Sequence, residues 1–230
     1  MINKSFLLFG KGMSLEVQIE EFLNLLLEAN ILFRDGVFYY LEEGKAGEFF
    51  QARLQLLVKQ EREVDALTRF IEVHLRSQSI GPQLRGDVWQ LLEQLSRLQR
   101  LLVKNLLNFE LEMPDFPVAM HAYLRHLSGS VFQAVGTCLE AGHMFFSQTE
   151  KVGEYLSKVA FHEKEADKIA LSLGREIAAA EVSLDRKMHV RRFVEMIDEP
   201  ANKAEEIAAW LAIFFIRRAP MTHPSDFFVE

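Results

Sequence analysis

The stretch HEKEADKIAL, His162 to Leu171, has the spacing of a buried helix, yet it places an acid, Glu163, on the apolar seam. Every third and fourth residue stays on one face of a helix. Read this way, the region gives Val152, Leu156, Val159, Glu163, Ala166, Ala170, Leu173 and Ile177. The same reading 102 residues earlier gives Phe50, Leu54, Leu57, Glu61, Val64, Thr68, Ile71 and Leu75, without a gap and with the acid in the same place. Each acid is followed four residues later by Asp65 or Asp167, a neighbour on the same helix face. The offset also carries Val88 to Val190 and Glu93 to Glu195. A weaker echo at an offset of 112 joins LLLEANILF (Leu25 to Phe33) to TCLEAGHMFF (Thr137 to Phe146), matching Glu28 to Glu140. These correspondences predict a duplicated unit.

The rest of the chain agrees with a duplication. Of its 230 residues 49% are hydrophobic, and only 12 Gly and 6 Pro interrupt them. Leu, Ala, Glu, Gln, Lys and Arg dominate, which favours an all-α fold. The pattern predicts six helices, at about 15–40, 45–79, 84–109, 118–147, 150–180 and 186–217. ELEMPDFP (Glu110 to Pro117), with two prolines, is the natural linker. The expected organisation is a first three-helix repeat over 1–112, a second over 118–218 and an irregular tail over 219–230. Together they make one compact domain, an elongated helical bundle.

The formal charge of −7 opposes nucleic-acid binding, which needs a basic surface. The longest apolar run, Ala208 to Ile216, is about half of the ~20 residues that span a bilayer. The four apolar residues Phe6 to Phe9 are too few for a signal-peptide core. A single cysteine, Cys138, excludes an intramolecular disulfide and fits a reducing cytoplasm.

A carboxylate on an apolar seam must meet a cation, a metal or hydrogen-bond donors, or take up a proton. On the sixth helix the same spacing gives Val194, Asp198, Ala201, Glu205 and Ala208, with Asn202 four residues after Asp198. Glu163, Asp167, Asp198 and Asn202 would therefore form an oxygen-rich cage suited to a divalent or trivalent ion. Glu205 and His162 are weaker candidates, and His189 is a further nitrogen donor. Pro200 lies within this helix and predicts a kink. In the first half Asp198 becomes Ser96, Asn202 becomes Arg100 and Glu205 becomes Val103. There a salt bridge from Glu61 and Asp65 to Arg100 is expected instead of a metal. Glu140 and His143 have the Glu-x-x-His spacing of a ferritin-like di-iron enzyme, but that motif needs a second copy. Cys138, on an apolar helix, reads as core.

EREVD (Glu61 to Asp65), EKEAD (Glu163 to Asp167), IDEPANKAEE (Ile197 to Glu206) and the opening FLLFGKGMSLEVQIEEF together resemble the PhoU superfamily, and within it the PhoU-like phosphate transport regulators. The resemblance implies a PhoU-like fold, a non-enzymatic role beside a membrane phosphate transporter, and acidic motifs that bind iron or zinc. It points to Glu163, Asp167, Asp198 and Asn202, and less directly to Glu61 and Asp65. Ser96, Arg97 and Arg100 stand where that family carries acids. The alternatives are the ferritin-like enzyme and a metal-free helical adaptor. Long Phe- and Leu-rich helices also lead us to expect a homo-oligomer.

Overall fold

The computed structural model describes residues 14–77, 81–147 and 151–218. These residues are all-α, with six long helices: α1 (Leu15–Glu43), α2 (Glu48–Ser77), α3 (Pro82–Glu112), α4 (His121–Ser147), α5 (Val152–Ala179) and α6 (Leu184–Arg218). A short 3₁₀ turn, Val118–Met120, precedes α4. The expected tail and the FLLF run lie outside the described residues.

Local chemistry sets the helix ends. The Ser14 hydroxyl accepts from the Val17 N–H at 3.4 Å and caps α1. Gly44 closes that helix in the left-handed conformation, at φ 66°, and its N–H donates to the Tyr40 carbonyl. Gly81 and Pro82 do not merely stop α2. Pro82 occupies the first turn of α3, where its missing N–H costs nothing. The linker begins later than its composition implies, because Glu110 to Glu112 still belong to α3 and the chain turns only at Met113, at φ 42°.

Within each repeat the three helices pack against one another. Between repeats, α1 lies on its counterpart α4, and α3 lies on its counterpart α6. The flanking helices α2 and α5 therefore show a face to solvent. One apolar core runs through all six helices. At one end of the junction a ring cluster closes over the linker. Phe109 packs edge-on to Tyr40 at 5.0 Å and to Phe193 at 4.9 Å, and Phe116 of the linker joins them. The buried Tyr40 hydroxyl donates to the Pro114 carbonyl at 3.1 Å. On the outside, Glu112 at the end of α3 pairs with Arg192 of α6, and Asp115 of the linker pairs with Arg186.

α6 continues through Pro200 without a break. Proline has no N–H, so the Met196 carbonyl, four residues earlier, loses its helical donor. Asn105 of α3 supplies the replacement. Its fully buried side-chain amide donates to that carbonyl across the junction between the repeats. A second buried amide, Asn30 of α1, donates to the Phe132 carbonyl of α4 at 2.9 Å. These two amide–carbonyl bonds cross the junction and help to fix its register.

Asn105→Leu should orphan the Met196 carbonyl and destabilise the protein by about 1–3 kcal/mol. Pro200→Ala restores the helical donor, so the Asn105→Leu penalty should shrink in its presence. Urea unfolding of the four proteins in a double-mutant cycle would measure this coupling. Additive effects would show that Asn105 does not serve this carbonyl.

Candidate functional site

The acids of the second repeat meet in the groove between α5 and α6. Glu163 and Asp198 are buried, at 6% and 8% exposure. Asp167 and Asn202 are exposed, and Glu205 is half-buried. The Asn202 amide donates to Asp198 Oδ2 at 3.2 Å. Asp198 Oδ1 is buried and finds no hydrogen-bond partner.

The electrostatics follow from this arrangement. Desolvation, followed by the charge of Asp167, pushes the Asp198 carboxyl up to about 7, although the Asn202 amide opposes the shift. Glu163 is raised as well, first by burial and then by Asp167 and Glu205, with Lys164 acting against them. The charge of Asp167 acts on both Glu163 and Asp198. Burial and neighbouring negative charge both disfavour ionisation there, so protons or a cation would stabilise the cluster. Its all-oxygen donor set suits a hard cation. Among the described residues, however, no three His, Cys, Asp or Glu side chains are gathered closely enough to form a ready-made cage.

The groove that Asp167, Asp198 and Asn202 line encloses about 1020 Å³. Lys168, Arg175 and Arg191 line it as well. The seam spacing did not reveal this basic wall, because those residues lie off the apolar face.

Two of the nitrogen candidates do not join the cluster. His189 approaches Glu112 at 3.5 Å and packs against Phe193, so the end of α3 holds it. His162 contacts the ring of Phe161 and is not among the groups acting on Glu163 or Asp198.

In the first repeat the buried position equivalent to Asp198 is Ser96. Its hydroxyl donates to the Leu92 carbonyl at 2.9 Å and meets Thr68 at 3.4 Å. The expected salt bridge to Arg100 does not form as a direct pair. Arg100 is exposed and lowers Glu61 only from a distance, while its Nε donates to the Ser96 carbonyl at 3.4 Å. Burial and Asp65 outweigh it, and Glu61 is raised. Ser96 thus adds no further negative charge beside Glu61 and Asp65, whereas Asp198 adds one in the second repeat.

Glu140 is exposed, and the half-buried His143 lines a mainly apolar pocket formed by the start of α1, the end of α2, the start of α3 and the end of α4. Cys138 is fully buried, and burial pushes its thiol up to about 12, so it is not a nucleophile.

Six helices in two three-helix units, each with an acid pair on its middle helix, can be compared with solved structures. A PhoU-like protein from Shewanella oneidensis superposes with a TM-score of 0.76, at 16% identity, covering 88% of this chain and 99% of that one. The fold is that of the PhoU-like proteins. A PhoU-like phosphate regulatory protein from the same organism superposes with a TM-score of 0.74, at 17% identity, over 89% of this chain and 100% of that one. By sequence, the UPF0111 protein of Thermotoga maritima is 22% identical over 179 residues, spanning 78% of this chain and 83% of its own length. No protein-family model matches the chain. No described helix is long and apolar enough to cross a membrane.

The folded protein holds the Asp198 proton more tightly than the unfolded chain, whose ordinary value is near 3.8. That stabilisation is complete below about pH 4 and is lost as the pH rises through about 7. In cation-free buffer the melting temperature should therefore fall between pH 5 and pH 8, with a slope of up to ~1.4 kcal/mol per pH unit for one proton. Asp198→Asn should flatten most of that fall. An unchanged profile in the variant would remove Asp198 as its source.

Proposed function

We propose that this chain is a non-enzymatic regulator of phosphate transport that works by protein contact and holds a cation in its second repeat. Buried Asp198 carries the metal part of this reading. It has an unpartnered oxygen, it lies beside two further acids, and among the described residues no cation forms an ion pair with it. Asp198, Asp167 and Glu163 would hold the ion, with Asn202 and Glu205 at the edge. The ion would supply charge compensation, replacing protons that would otherwise stabilise the cluster, and would tie α5 to α6. Iron and zinc are the ions that the PhoU-like resemblance favours.

The phosphate part is supported by likeness to a structure described as a PhoU-like phosphate regulatory protein. Contact with a partner is supported by the solvent face of α2, where Phe49, Leu56, Phe70 and Val73 stand exposed at near-heptad spacing. The same stripe supports assembly with further copies of the chain. The partner would be a membrane phosphate transporter or its regulatory components, met at the cytoplasmic face.

Elemental analysis of protein purified without an affinity column tests the site. Wild type should retain an iron- or zinc-type ion, and Glu163→Ala with Asp167→Ala should lose it. Equal content in both, or none in either, would defeat the assignment. At a cation concentration 100 times Kd the wild type should gain ~2.7 kcal/mol, raising Tm by roughly 5–10 °C, and the double variant should gain nothing. A comparison of phosphate uptake in cells with and without the chain tests the regulatory role, and identical uptake under phosphate-rich and phosphate-poor growth would count against it.

A further inference from the structure

The solvent face of α2 is apolar where its counterpart is not. Phe49, Leu56, Phe70 and Val73 are between 37% and 66% exposed among the described residues. At the 102-residue offset α5 carries Lys151, Lys158, Ser172 and Arg175, as a helix face in water should. The apolar stripe is therefore a property of α2 and not of the repeat. Ile31 of α1, itself exposed, stands beside Leu56 across a shallow groove and widens the patch. Phe49 is held in place by stacking on Tyr39, with ring centroids 5.4 Å apart.

The stripe is also complementary to itself. Steps of three and four along this face run Phe49, Ala52, Leu56, Lys59, Glu63, Ala66, Phe70 and Val73, the spacing of a coiled-coil seam about 36 Å long. Turned end for end at the level of Glu61, the seam sets Phe49 opposite Val73, Ala52 opposite Phe70, Leu56 opposite Ala66 and Lys59 opposite Glu63. Each large side chain then meets a smaller one, and each charge meets its opposite. Lys59 and Glu63 already approach to 3.4 Å within one helix, so two such pairs would form a neutral cluster of four at the axis. A parallel pairing in register sets Lys59 against Lys59, Glu63 against Glu63 and alanine against alanine. On the flank of the reversed pair, Glu48 comes opposite Arg76 and Gln55 opposite Arg69. Only Arg62 meets its own copy, and its exposed side chain is long enough to turn into solvent.

We propose that two copies of the chain pair through α2, antiparallel, about a twofold axis at the level of Glu61. This assigns to a second copy the face on which the assembly part of the functional reading rests. It depends on neither the cation nor phosphate.

Sedimentation of the full chain at micromolar concentration should give twice its 26.5 kDa mass. Lys59→Glu sets acids against acids across the axis, and Glu63→Lys sets bases against bases. Each should raise the dimer dissociation constant at least ~10-fold. An equimolar mixture of the two variants should dimerise again, a rescue that misfolded chains could not give. Phe49→Cys mixed with Val73→Cys should form a disulfide between chains, while Val73→Cys alone should not. The native Cys138 thiol is buried and does not compete. A monomeric wild type would overturn the proposal and leave the face to another partner, without touching the metal content or the phosphate-uptake result. So would a dimer indifferent to both charge reversals, a mixture that stays monomeric, or a disulfide between two copies of Val73→Cys.

Discussion

One carbonyl oxygen, that of Met196, links the fold to the site. Pro200 deprives it of a helical partner, and a buried oxygen without a donor costs about 1–3 kcal/mol. Asn105 removes that cost from the opposite repeat. The bond can form only when α3 and α6 share one register, so a local defect in α6 becomes a constraint on the whole junction. Asp198 lies midway between Met196 and Pro200 in sequence. Whatever holds α6 at this point also sets the depth at which Asp198 is buried, and that depth raises its carboxyl.

The two repeats answer the same packing problem in different ways. Each places an acid on the seam of its middle helix, and each then needs a group on its third helix. In the first repeat Ser96 is neutral, and it and Thr68 turn their hydroxyls to carbonyls of their own helices, at Leu92 and Val64. In the second, Asp198 brings another negative charge to Glu163 and Asp167. Mutual repulsion and desolvation act in one direction there, and a lone amide from Asn202 does not offset them. The second repeat therefore concentrates more negative charge than the first, where Arg100 partly offsets the shift of Glu61.

The helix count and the face of each middle helix were readable in the sequence, because period-3.6 spacing and a constant offset report burial directly. Seven of the eight seam positions of α2 and α5 are apolar or small in one or both repeats, and the exception is the acid. The approach of Asp198 to Glu163 followed from the same periodicity. The longer-range features did not. Arg100 occupies the register of Asn202, yet register does not show that its guanidinium turns Nε to the Ser96 carbonyl instead of pairing with Glu61. Nor does spacing show that His189 is held by Glu112 at the end of α3 and stays away from the acids. The service of Asn105 to Met196 joins residues 91 apart, and no local pattern encodes it.

The pairing of α1 with α4 and of α3 with α6 has a wider meaning. Counterpart helices that face each other form the contact of an isologous dimer, carried here on a single polypeptide. In a true homodimer every substitution appears on both sides of the twofold axis. Covalent fusion lifts that restriction, so one half can keep an acidic position while the other neutralises it. The asymmetry between Asp198 and Ser96 is thus open to a tandem chain and closed to a symmetric pair of subunits.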